Sequence, residues 1–303
     1  MRIACSTWAG GGNVAVFRAL GEQLRARGHE VEIQVDWRKP PLLDGDVLLV
    51  DHMTGADGLE AVLTSGRPAA TVVHTMWSFV PSLEGTFAPA GYLAHLARFE
   101  HNLVFTVAEL DAVAPAANVR HVGPVLEPEG PDAGWLPPPS SLVVVAMGTT
   151  DMGEAPVLQR VLDGLASAPV EVVVTAGDHV DRKSLRVPAN ATVLGHVRHS
   201  AVLPHADVFI GHGGHGGIMA AGAFGVPMVL VPLDRDQPHN AARVEAFGAA
   251  RVVAKDAAPD AIAAAVAAVR TGTREREGAI RLANAIAAYG TAAVDAVESL
   301  ETS

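Results

Sequence analysis

Residues 206–240 read ADVFIGHGGHGGIMAAGAFGVPMVLVPLDRDQPHN. Ala206 to Ile210 supply an apolar run of strand length, GHGGHGG a glycine turn, and the following small residues a helix. GVPMVLVP then returns as a second apolar strand before a polar close. Two short strands joined through a helix are a unit of a parallel sheet covered on both faces. The chain is therefore read as α/β.

The glycine turn has its own chemistry. Gly213, Gly214, Gly216 and Gly217 lack a Cβ, so backbone N–H groups can approach an anion where a helix presents its unpaired donors and positive dipole end. His212 adds a side-chain donor. A helix over 217–224 and a buried parallel strand over 227–232 bring Asp236, Gln237 and Asn240 out beside that turn. Carboxylate and amide groups in one small patch suit vicinal hydroxyls, so the segment reads as a diphosphate cradle followed by a sugar-reading loop.

At HGG…GVPM…DQPHNAARV the sequence resembles the nucleotide-sugar-dependent glycosyltransferases of the GT-B fold, in the macrolide and antibiotic branch that decorates natural products. The resemblance covers most of the chain. It implies two Rossmann-like domains with parallel sheets facing across a cleft, and a donor diphosphate bound by His212, Gly213 and Gly214, with Gly216 and Gly217 in the same cradle. It gives Asp236 and Gln237 to the donor sugar, with Asn240 beside them, Thr149 to a loop near the phosphates, and Val197 to a backbone contact with the nucleobase. The sequence departs from the family at Gly217, where Ser or Thr is usual, and at Ala220, where a ribose-binding Glu is common.

Composition bounds the alternatives. With 303 residues, 49% hydrophobic and 18% charged, the chain has material for two domains of ordinary size. A net charge of −11 with only 22 Lys and Arg argues against a general nucleic-acid surface. The single cysteine, Cys5, lies in an apolar strand and excludes an internal disulfide, as suits a reducing cytoplasm. No apolar run approaches the roughly 20 residues that span a bilayer, and no secretory leader pattern opens the sequence. The expectation is a cytoplasmic protein with small-molecule partners, a nucleotide-sugar donor and an acceptor, without membrane insertion. A homodimer is compatible with the sequence.

Strand and helix patterns alternate on both sides of GPVLEPEGPDAGWLPPPS at 123–140, whose six prolines forbid a helix interior or a central strand. Domains are accordingly expected at 1–125 and 141–303, with a linker at 126–140. In the first half, strands are predicted at 2–6, 30–35, 46–50, 69–73 and 103–107, and helices at 13–27 and 57–65. In the second, strands at 142–147, 170–175, 192–194 and 250–253 surround the cradle, and alanine-rich helices at 259–270 and 274–300 close the chain.

Catalysis is expected from the first half. The resemblance places a proton-accepting His where Asn13 stands, and an amide cannot take a proton at neutral pH. Asp51 with His52 and His74 close neighbouring strands, and a carboxylate beside an imidazole makes a base and its orienting partner. Asn13, Asp51 and His74 are the candidate catalytic residues. Trp77 and Phe79 suit either an acceptor wall or core. His212, His215 and His239 cluster in sequence, but glycines are poor supports for a zinc site, so no metal and no cofactor beyond the sugar nucleotide is expected.

The expected activity is metal-independent, inverting glycosyl transfer to a small-molecule acceptor. A first half of about 125 residues is short for the family. That keeps open a nucleotide-sugar hydrolase on the same fold, and the departures at Asn13, Gly217 and Ala220 keep open a non-catalytic nucleotide-sugar-binding homologue.

Overall fold

The structure, a computed structural model, describes residues 1–10, 12–36, 38–111, 116–126, 140–148, 150–177, 179–195 and 197–302. The expected linker at 126–140 falls almost wholly outside them. In chain order the elements are β1 (Arg2–Thr7), α1 (Asn13–Ala26), β2 (Glu30–Val35), β3 (Val47–Asp51), α2 (Ala56–Thr64), β4 (Ala69–Val73), α3 (Tyr92–Arg98), β5 (His101–Val104) and β6 (Val119–His121). They continue with β7 (Leu142–Ala146), α4 (Ala155–Leu165), β8 (Glu171–Thr175), β9 (Ala191–Leu194), α5 (His199–Val202), β10 (Val208–Gly211), α6 (His215–Ala223), β11 (Met228–Leu230), α7 (Gln237–Phe247), β12 (Ala250–Val252), α8 (Pro259–Thr271), α9 (Thr273–Tyr289) and α10 (Ala292–Ser299).

The chain divides into two compact units, one of Met1–Leu126 with Ala288–Ser303, the other of Glu127–Ala287. Each holds a six-stranded sheet, ordered β2-β1-β3-β4-β5-β6 in the first and β12-β11-β10-β7-β8-β9 in the second. All registered pairs are parallel.

In the first unit the period-two alternation of a strand sorts residues between two helix layers. Ile3, Cys5, Val47, Leu49 and Val72 pack with Phe17, Leu20 and Leu24 of α1. Their neighbours Ala4, Leu48, Val50 and Val73 pack on the opposite face with Leu59 and Val62 of α2 and Tyr92 and Leu96 of α3. Burial holds the Cys5 thiol up at about 12, so it is protonated and inert. Trp77 and Phe79 lie partly buried against the second of these clusters. The backbone N–H groups of Trp77 and Ser78 donate to the buried Asp111 at 2.6 and 2.7 Å, which anchors the turn carrying both aromatics.

The end of the chain departs from the sequence reading. One helix was expected over 274–300 within a domain ending at 303. Instead α9 stops at Gly290, which takes φ 49°, and α10 starts anew. Ala293, Val294, Ala296, Val297 and Leu300 then enter the core of the first unit beside α1. Burial of that apolar stripe explains the assignment, because an isolated eight-residue helix has little stability of its own.

In the second unit Val143, Val145, Val172, Val174, Val208, Ile210, Val229 and Val231 face Val157, Leu158, Val161, Leu162 and Leu165 of α4 and Ile262, Val266 and Val269 of α8. On the other face a Cβ on Gly222 of α6 would meet Leu282 of α9 at 2.7 Å, so those helices pack at glycine distance. Among the described residues no helix is long and apolar enough to cross a membrane.

Candidate functional site

Sheet order places the site in the second unit. From β7 the chain builds outward through β8 and β9, then crosses to the other side for β10 to β12, so the connections leaving β7 and β10 diverge at a topological switch point. Ligands of open α/β sheets bind there, outside the carboxyl ends of the strands. The loop after β7 carries Gly148, and the loop after β10 carries His212–Gly214. Thr149, expected in the same place, lies outside the described residues.

Four glycines of GHGGHGG differ in what a side chain there would meet. Gly213 takes φ 84°, and a Cβ there would stand 2.9 Å from the Gln237 carbonyl oxygen, so the loop can lie against the start of α7 only without a side chain. A Cβ on Gly214 would stand 2.4 Å from His212 Nε2, and one on Gly148, at φ 101°, would stand 2.9 Å from His212 Cε1. The imidazole is thus layered between two glycines. Gly216 faces open space in the first turn of α6 and is exposed, and a Cβ on Gly217 would stand 3.3 Å from the Phe209 ring. The helix begins two residues earlier than expected, at His215, so residues 215–217 form its first turn, close after His212 in the chain.

Burial lowers the His212 pKa, against the opposing pull of the Ala146 backbone and of the Asp236 and Glu154 carboxylates. The imidazole is therefore neutral at pH 7 and stands just before the N-terminus of α6. An approaching phosphate favours its protonation.

Asp236, Gln237 and Asn240 lie beside the cradle, but two of them are turned inward. Gln237 is 3% exposed, its Oε1 accepting from Leu233 and Asp234 N–H at 2.9 and 3.2 Å and its Nε2 reaching Met152 Sδ at 3.2 Å. Asn240 is fully buried, and its Nδ2 donates to the Gly213 carbonyl at 3.2 Å and to Asp236 Oδ2 at 2.8 Å. Both side chains expected at the sugar are thus also held by bonds within the protein. They brace the cradle and aim Asp236, because α7 starts at Gln237 and points both amides back at the loop. Asp236, at the half-exposed helix start, remains the sugar-facing candidate. Val197 is half-buried in the loop after β9.

Sequence reasoning missed one pair in this unit. Glu154, 1% exposed at the head of α4, holds His179 in a short contact and accepts from Met152 N–H at 2.9 Å. His179 follows β8, and a Cβ on Gly177 would stand 2.5 Å from its ring and 3.1 Å from the Gly148 carbonyl. The pair therefore adjoins the switch point. A histidine two residues beyond the glycine of the loop after β8 was the available signal.

The first unit has its own switch point, between β1 and β3, since β2 lies to one side and β3 to β6 to the other. There Asp51, the last residue of β3 and completely buried, accepts from Thr7 Oγ1 at 2.7 Å and Asn13 Nδ2 at 3.1 Å on Oδ2. Its Oδ1 accepts from Met53 N–H at 2.9 Å and contacts His74 Nε2 at 3.2 Å. Asn13 also donates to Thr7 Oγ1 and the Trp8 carbonyl at 3.0 and 2.8 Å. Burial alone would push the Asp51 carboxyl up. His74, with help from His52 and Thr7, overrides that and holds it below the usual carboxylate range. Asn13, Asp51 and His74 are brought together as one cluster, with Thr7 as a fourth member that strand periodicity alone did not single out.

His52 stands behind this cluster. It is 1% exposed, its ring 4.8 Å from that of His74 in a T-shaped arrangement, and its Nδ1 lies 2.6 Å from the Tyr92 hydroxyl. Burial, reinforced by His74 and opposed by Asp51, lowers its pKa to about 3, so it is neutral. Ligand atoms of Asp51, His52 and His74 all lie within 4.8 Å of one another. The only metal-competent cluster among the described residues is thus in the first unit, and not at His212, His215 and His239.

Comparison with known proteins follows this geometry. Residues 159–301 match the family model described as erythromycin biosynthesis protein CIII-like, C-terminal domain. The chain is 36% identical over 190 residues to the 4'-demethylrebeccamycin synthase of Lentzea aerocolonigenes, which covers 60% of this chain and 44% of that protein. It thus spans less than half the length of this relative. Among solved structures it resembles the glycotransferase of kitacinnamycin with a TM-score of 0.80 at 24% identity, covering 99% of this chain and 98% of that one. It also resembles the glycosyltransferase VinC in complex with DTDP, with a TM-score of 0.78 at 18% identity over the full length of both chains. The fold is the GT-B fold of these enzymes.

Proposed function

We propose, from the match of residues 159–301 to the erythromycin biosynthesis protein CIII-like C-terminal domain, that this chain transfers a sugar from a nucleoside-diphosphate donor to a small natural-product acceptor. Thymidine or uridine diphosphate is the donor class. The observation that carries this reading is the layered imidazole of His212, held between Gly148 and Gly214 at the start of α6. A neutral ring and a helix N-terminus make an anion site that strengthens as charge grows on a departing diphosphate.

The chemistry assigned to the chain is a single inverting displacement without a metal requirement. The acceptor oxygen bonds to the anomeric carbon as the bond to the diphosphate oxygen breaks, and the leaving oxygen's charge is met by His212 and the α6 N–H groups. His74 takes the acceptor's proton. The buried Asp51 carboxylate, 3.2 Å from His74 Nε2, favours the tautomer protonated on that nitrogen and supports the imidazolium that forms. Asn13, where the family resemblance leads one to look for the base, donates to the same carboxylate and fixes its orientation.

Replacing His212 by Ala tests the donor assignment. Thymidine diphosphate binding, read by calorimetry on the folded variant, is expected to weaken by at least tenfold. Unchanged affinity and unchanged turnover together would remove the assignment. Sugar released in the absence of acceptor, at the rate seen with acceptor, would replace transfer by hydrolysis.

A further inference from the structure

We propose that Asp51, His52 and His74 form a binding site for a transition-metal dication of the zinc class. The donor atoms are already gathered, all within 4.8 Å of one another. Asp51 Oδ1 and His74 Nε2 are 3.2 Å apart, close to the roughly 3.3–3.5 Å that separates two ligands of a tetrahedral zinc with bonds near 2.0–2.1 Å. They stand on a rigid support, the adjacent ends of β3 and β4, registered at Asp51 against Val72.

The second observation is His52. It is 1% exposed, Nδ1 is engaged by the Tyr92 hydroxyl at 2.6 Å, and Nε2 is buried with no hydrogen-bond partner. With Nδ1–H donating to the Tyr92 hydroxyl, Nε2 carries the lone pair, which is the arrangement of a metal-ligating histidine. Asp51 is supported in the same way, by Thr7 and Asn13 on its other oxygen. Two imidazoles and one carboxylate favour zinc, cobalt or nickel over magnesium or calcium. Three protein ligands leave a fourth position open, and the His74 side chain, 18% exposed, marks the way in.

One consequence rests on the transferase reading. The ion takes His74 Nε2 and Asp51 Oδ1, displacing the proton between them to solvent, and so removes the pair from proton transfer. Zinc is then an inhibitor that a chelator reverses.

The test uses the full chain without nucleotide or acceptor, so it stands apart from the transferase reading. Zinc titration by calorimetry should give one ion per chain with proton release, and cobalt should give the visible spectrum of a tetrahedral site. His52→Gln, confirmed folded by circular dichroism, should weaken zinc at least a hundredfold, and Tyr92→Phe about tenfold. Absence of stoichiometric binding to the folded chain, or zinc affinity unchanged in His52→Gln, overturns the site. Zinc bound here with turnover unaffected overturns the inhibitory consequence and the assignment of His74 as base.

Discussion

At the scale of single residues the cradle is a matter of which glycines have somewhere to put a methyl group. Gly214→Ala drives a Cβ into His212 Nε2 at 2.4 Å, while Gly216→Ala meets nothing. The first should lower thymidine diphosphate affinity by an order of magnitude or more, and the second should leave folding unchanged. Equal affinities in calorimetry would show that the ring is not positioned by that contact. His212 also sets a pH dependence. Its pKa in the free protein lies below the ordinary value because of burial, and a bound diphosphate raises it, so the complex binds more protons than the free protein. Affinity should therefore tighten as pH falls from about 7.5 toward 6, and His212→Gln should flatten the curve.

At the scale of elements, α7 and the cradle loop are joined through Asn240, whose amide donates to the Gly213 carbonyl and to Asp236. Asn240→Ala leaves a buried carbonyl with one partner fewer and removes one partner from Asp236, at an expected cost of about 1–3 kcal/mol. Denaturant unfolding measures that loss. A cost near zero would mean that water replaces the amide. Asn240 and Gln237 also mark where sequence reading stops. DQPHN was legible as polar and as adjacent to the glycine turn, but polarity does not say which way an amide points. The helix start at Gln237 decides that, turning both amides inward. Asp51 and His74 were legible as neighbours because the carboxyl ends of adjacent parallel strands lie on one edge of a sheet, and Asn13 opens the helix that follows β1 at that edge. Thr7 and Tyr92 joined them through contacts across 44 and 40 residues of chain, which no local pattern encodes.

At the scale of the molecule there are two cores, and the last helix belongs to the first. Leu300→Ala opens a cavity in a cluster shared with Phe17 and Leu49, and is expected to cost about 2–5 kcal/mol. Hydrogen exchange should locate the loss in β1, β3 and α1, leaving β7 to β11 protected. Acceleration in the second unit instead would place α10 with the wrong core. Thymidine diphosphate at about 100 times its dissociation constant should add about 2.7 kcal/mol, expressed in the second unit. The sequence by itself determined the alternation of strands and helices, the parallel sheets and the glycine turn between a strand and a helix, because these follow from local periodicity and from where Cβ atoms are missing. Only the tertiary structure decided that α10 leaves its sequence neighbours, that Gln237 and Asn240 bond back onto the cradle, and that His52 backs the Asp51 and His74 pair. Each of these depends on what a side chain buries against, and burial partners far apart in the chain are fixed only when the sheets assemble.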